Sequence, residues 1–200
     1  MTETSTPMID GIREVLDFWF APSSKAHWFE PSEAFDRAVA ERLGELHRRA
    51  ASGDLENWAS CAEGCLALCI LLDQAPRQLY RGKARAFATD ASALRVATPA
   101  LATGFDRALP AEQRMFLYLP LMHSERLADQ ERCVALFGAD GLRDSLHHAV
   151  QHAEVIRRFG RFPHRNAALG RASTAEEEVW LREGGAHFGQ KTPLETKTER

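Results

Sequence analysis

The chain has almost no charge imbalance, few cysteines and no long apolar run, and each shortage excludes a class of protein. Acids outnumber bases by 28 to 25, a formal charge of −3, so an electrostatic grip on nucleic acid along the whole chain is not expected. The longest apolar run, Cys65 to Leu72, is eight residues, far too short to cross a bilayer. Residues Met1 to Asp10 lack the basic start, apolar stretch and cleavage site of a secretory signal, which makes the cytoplasm the expected compartment. Four cysteines among 200 residues are too few for a disulfide scaffold. Three of them, Cys61, Cys65 and Cys69, recur every four residues. That spacing strains any disulfide along the stripe and reads as small apolar side chains facing a core.

The nucleotide P-loop, the dinucleotide fingerprint and the Gly-x-Ser-x-Gly elbow are all missing. So are His-Glu-x-x-His and the Glu-x-x-His pairs of di-iron bundles. His148 and His152 stand one helical turn apart and read as surface histidines, so neither a metal nor a cofactor is expected. No run of alternating β-branched residues, no repeat near 34 residues and no heptad seam is present.

What is present is helical periodicity in a composition of 44% hydrophobic and 26% charged residues. The expected architecture is all-α, a compact antiparallel array forming one domain over residues 8–189, with a polar, disordered tail over 190–200. A first helix spans about Ile9 to Phe20. A second opens at Ser32, a natural N-cap, and ends near Gly53. The stretch Cys65 to Leu72 is apolar on every side and predicts a central helix. Pro76 and Gly82 mark a break, Thr89 or Asp90 opens the next helix, and Pro99 is expected to kink or divide it. Pro110 begins a helix to Met122 with an internal Pro120. Helices over Leu127 to Phe137 and Leu142 to Phe159 follow, the latter ended by Gly160, and Thr174-Ala-Glu-Glu177 fits a capping box.

Three polar clusters could carry chemistry. Asp73-Gln74-Ala-Pro-Arg77 follows the most apolar stretch, where a charge must be paired to be tolerated. His123-Ser124-Glu125 looks like a compressed triad, but successive helical side chains diverge by about 100° and cannot meet at one atom unless the chain turns there. Arg157-Arg-Phe-Gly-Arg161-Phe-Pro-His164-Arg165-Asn166, with Arg171 nearby, is a basic loop without an acid, suited either to an anion or to ion pairs with distant carboxylates.

Those clusters also carry a resemblance. Val15-Leu-Asp-Phe-Trp-Phe20, Leu71-Leu-Asp-Gln-Ala-Pro-Arg77, Tyr80-Arg-Gly82, Arg85-Ala-Phe-Ala-Thr-Asp90, Phe116-Leu-Tyr-Leu-Pro120, His123-Ser-Glu125, Ala128-Asp-Gln-Glu131, Phe159-Gly-Arg-Phe-Pro-His-Arg-Asn166 and Leu169-Gly-Arg171 resemble the bacterial domain-of-unknown-function 924 family. The resemblance implies a tetratricopeptide-like helical superhelix and no particular activity. Ala75 and Ala62 depart from it, standing where an aromatic residue and a proline are usual.

Two functions are expected from this pattern. One is a pocket for a small phosphate- or carboxylate-bearing ligand. Asp73, Gln74, Arg77, Arg161, Arg165 and Asn166 would bind it, and His123, Glu125 and His164 would serve proton transfer. Trp19 and Phe162 would form its apolar walls. The other is a protein- or peptide-binding scaffold in which the polar motifs are structural.

Overall fold

A computed structural model describes residues 6–185 and Phe188, so the tail expected over 190–200 lies outside the described residues. The described residues form helices and turns with no strand. The helices are α1 (Thr6–Trp19), α2 (Pro22–Lys25), α3 (Glu33–Ser52), α4 (Ala62–Cys69), α5 (Ala75–Leu79), α6 (Asp90–Ala102), α7 (Ala111–Met122), α8 (Leu127–Ala139), α9 (Arg143–Phe159) and α10 (Ala175–Arg182). Short 3-10 turns at Glu56–Ser60, Ala84–Phe87, Phe105–Ala108 and Pro163–Arg165 join them.

The local stop and start signals behave as their chemistry requires. The Ser32 side chain accepts the Phe35 N–H at 3.3 Å, and Gly53 closes α3 at φ 91°, a left-handed conformation that only glycine adopts cheaply. Thr174 and Glu177 form a reciprocal capping box on α10. Two internal prolines do not divide their helices: α6 continues through Pro99 and α7 through Pro120.

One core cluster runs from Ile12 on α1 to Ala149 on α9. Its middle is α4, packed against α1, α6 and α7 and buried from Gly64 to Cys69, where each Leu contributes about 1.5–3 kcal/mol by leaving water. The expected single central helix is interrupted. Residues Ile70–Gln74 form a π-helical turn between α4 and α5. Pro76 explains it, because a proline cannot donate to the carbonyl four residues back and its ring crowds that carbonyl. The carbonyl concerned, Leu72, accepts the Thr89 hydroxyl at 2.6 Å instead, and the Leu71 carbonyl accepts His47 Nδ1–H at 2.8 Å. A second, smaller apolar cluster of Val155, Ile156 and Phe162 joins the end of α9 to Trp180 on α10 and to Phe188.

Candidate functional site

The π-turn sets two consecutive polar side chains into the interior: Asp73 is fully buried and Gln74 is 4% exposed. His123 meets Asp73 from the far end of α7, where the chain leaves the helix at φ −90° and ψ −5°. Its Nδ1–H donates to the carboxylate at 2.8 and 3.0 Å, and Gln74 Nε2 donates to the same group at 2.5 Å. Arg77, one turn further along, lies 3.4 Å from Asp73 and forks onto Asp90 at 3.1 and 3.2 Å. The other oxygen partner of that fork also accepts Arg165 Nη1 at 3.1 Å. Arg165 is 6% exposed and stacks its guanidinium between Phe87 (4.7 Å) and Phe162 (4.6 Å). The result is a chain of alternating groups, His123–Asp73–Arg77–Asp90–Arg165, drawn from four segments of the sequence.

Pairing decides the charges in this chain. Burial would raise the Asp73 carboxyl, but the Arg77 charge, His123 and Gln74 together hold it well below the ordinary carboxylate range. Burial lowers His123, the Arg77 charge lowers it further, and Asp73 only partly offsets both. Arg165 falls to about 10, chiefly through burial, with Asp90 opposing and Arg77 adding to the fall. It remains cationic at neutral pH.

A cavity of about 470 Å³ opens beside this chain. Gln74, Arg77, Gln78 and Arg81 line one side, and His123 and His152 another. Trp28, Phe29, Met115 and Leu119 supply apolar wall. Arg81 is held by Asp36, which accepts from Nε at 3.0 Å and Nη2 at 2.7 Å. The expected walls are corrected: Trp19 is fully buried against Phe35 and Phe116, and Phe162 sits behind Arg165. Neither lines the cavity.

The other sequence candidates are gathered elsewhere. Glu125 accepts the Phe162 N–H at 2.8 Å and a fork from Arg171 at 2.8 and 3.0 Å. Ser124 donates to Asp129 at 2.6 Å, so the His123-Ser124-Glu125 string points three ways and forms no triad. Arg161 forks onto Glu177 at 2.6 and 2.7 Å, and Asn166 donates to Ser173 and to the same Glu177. These contacts clamp α10 onto the basic loop. His164 packs its ring on Phe162 and Phe188 and is not part of the cavity lining.

His152 corrects a sequence expectation. It is 5% exposed rather than a surface histidine, with its ring 3.6 Å from Phe188, centroid to centroid, and 6.0 Å from His123. Its Nδ1–H donates to the His148 carbonyl at 2.7 Å. Burial, with His123 behind it, depresses its pKa to about 3. The unfolded chain therefore takes up a proton near pH 6.5 that the folded chain refuses until about pH 3. Stability conferred by the neutral ring is complete above the unfolded value and is lost as pH falls between the two. Between pH 7 and pH 5 the loss through this one group is about 2 kcal/mol. Thermal melts at both pH values should show a drop that His152→Leu makes smaller by that amount; an unchanged drop would mean that the ring titrates normally.

Among the described residues no cluster of three or more His, Cys, Asp or Glu could hold a metal ion. No helix there is long and apolar enough to cross a membrane. Sequence reasoning missed Asp90, Arg81, Gln78 and His152 as members of this neighbourhood. Asp90 and Arg81 were marked by the strings Arg85–Asp90 and Tyr80–Gly82; Gln78 and His152 had no such signal.

The model of a family described as "Bacterial protein of unknown function (DUF924)" matches residues 15–185. A solved structure of a protein of unknown function from Agrobacterium tumefaciens is similar at 40% identity, over 88% of this chain and 99% of that one, with a TM-score of 0.83. Comparison with the curated proteins finds no match.

Proposed function

Since the chain belongs to the bacterial DUF924 family, with its polar strings inside the matched span, we propose that it binds a small organic ligand carrying one anionic group in the cavity beside Asp73 and His123. One observation carries the reading. Gln74, Arg77, Arg81 and His123, from segments more than forty residues apart, line one space together with Trp28, Phe29 and Leu119. About 470 Å³ falls within the range of small-molecule sites, which pair an apolar wall with a few convergent polar groups.

Arg77 on α5 and Arg81, two residues beyond its end, are each held by a carboxylate, Asp90 and Asp36. This arrangement holds both guanidiniums in place without ligand. The bonds to Asp36 use Nε and Nη2 of Arg81, so Nη1 is the edge that a carboxylate or phosphate meets. Asp73 orients the His123 ring, leaving Nε2 as an acceptor for a proton on the ligand. Arg165 supports the ligand through Asp90 and Arg77, and the Glu125, Arg161 and Asn166 ties support it through the loop that carries Arg165. The peptide-scaffold reading calls for an extended groove, and the compact cavity favours a small molecule over it.

A thermal-shift series with benzoate, 3-phenylpropionate and phenyl phosphate tests this reading. At least one of them should raise the melting temperature in a saturable way. Arg81→Met, at a half-buried position whose pair contributes about 1 kcal/mol or less, should weaken that compound about tenfold or more while the protein stays folded. An equal response from Arg81→Met would remove the anion from this place.

A further inference from the structure

We infer that the ligand carries an N–H or O–H donor next to its anionic group, the chemistry of a small 2-hydroxy or 2-amino carboxylate, and that His123 and His152 read that donor. This rests on the ligand-binding reading above and narrows it.

Hydrogen-bond partners fix the tautomers of both rings. His123 Nδ1 faces the Asp73 carboxylate and His152 Nδ1 faces the His148 backbone carbonyl, and both of those partners only accept. Each Nδ1 must therefore carry the hydrogen. Burial keeps both rings neutral, so the opposite atom, Nε2, holds a lone pair in each. Both rings line the cavity, 6.0 Å apart between centroids and inclined at 57°. Two neighbouring acceptors face a space whose cationic wall is formed by Arg77 and Arg81, with Glu30, Ser145 and His148 also on its lining.

A divalent cation is the alternative occupant for two imidazole lone pairs. It is disfavoured because the described residues hold no group of three or more His, Cys, Asp or Glu placed to bind a metal ion.

The two recognition elements share one cavity. His123 and Arg77 both lie against Asp73, at 2.8 and 3.4 Å, and both line the space with Arg81, which sets the ring that reads the donor on the cationic side of the cavity. The apolar remainder of the ligand extends toward Trp28, Phe29 and Leu119.

The experiment compares matched compounds on the whole chain by NMR titration. 3-Phenyllactate and phenylalanine each carry the donor; 3-phenylpropionate is the same skeleton without it. At least one donor compound should bind ten times more tightly than 3-phenylpropionate, and which of them does so tells hydroxyl from ammonium. His152→Leu should shrink that preference severalfold. Nitrogen-15 spectra of the unmodified protein, which do not depend on any variant folding, should show His123 and His152 as Nδ1–H tautomers. Equal affinity for all three compounds, or an Nε2–H tautomer at either ring, overturns the donor inference and leaves the ligand site standing. If none of the three binds, the donor inference falls, and the ligand site itself falls only if phenyl phosphate fails to bind as well.

Discussion

Asp73→Ala is expected to cost about 3–5 kcal/mol of stability, the range for removing one member of a buried, hydrogen-bonded charge set. The carboxylate is fully buried and serves His123, Gln74 and Arg77 at once. Without it, Arg77 keeps the backbone carbonyl of residue 73 but shares Asp90 with Arg165 as the remaining carboxylate of the chain, and His123 Nδ1–H loses its acceptor. For a chain of this size the melting temperature should fall by roughly 6–20 °C. Asp36→Ala provides the comparison, since it breaks a pair with Arg81 whose side chains are 21% and 24% exposed and should cost less, about 1 kcal/mol. Calorimetry showing both variants within about 1 kcal/mol of the parent would mean that the charge chain supports nothing.

Gly64→Ala is expected to be damaging for a steric reason. Gly64 lies buried on α4, and a methyl group there would stand 1.9 Å from the Trp58 carbonyl oxygen. That neighbour is backbone and cannot swing aside. Moving it drags the Trp58 ring, which is itself set against Gly11, where a methyl would lie 2.8 Å from the indole. The loss should reach about 3 kcal/mol, the upper part of the overpacking range. Gly44→Ala should act in the opposite direction. It lies within α3 with no atom within 4 Å of the added carbon, so the gain in helix propensity of about 1 kcal/mol meets no resistance. Denaturant melts of the two variants should move to opposite sides of the parent; a shift in the same direction would overturn the contact argument.

The elements that could be read from sequence were those settled within a few residues. Ser32 and Thr174 cap, and Gly53 and Gly160 terminate, because each answers to backbone groups within a turn of itself. Asp73 and Arg77 could be singled out because charge beside an apolar stretch demands a partner. The identity of the partner could not be read. Arg77 and Arg165 share Asp90, 13 and 75 residues away, and nothing local distinguishes that carboxylate from Glu125, which takes Arg171 instead. His152 escaped for a related reason. Its one-turn spacing from His148 is the same whether the pair faces water or an interior, and only the packing of Phe188 and Phe162 over the ring decides.

The turn at Ile70–Gln74 acts as a phase adjustment between two halves of one rod. Side chains counted off in fours around an α-helix advance by about 40° at every count, so Cys65, Cys69, Asp73 and Arg77 would wind away from a common line. A wider coil between the second and the fourth runs against that rotation. It follows that between Cys69 and Arg77 number matters more than kind for the aliphatic residues Ile70, Leu71 and Leu72, while Asp73 and Pro76 count for both. Shortening that interval by one would swing Arg77 about 100° round the axis and off Asp90, whereas exchanging Leu71 for another aliphatic residue of equal bulk would leave the alignment as it is.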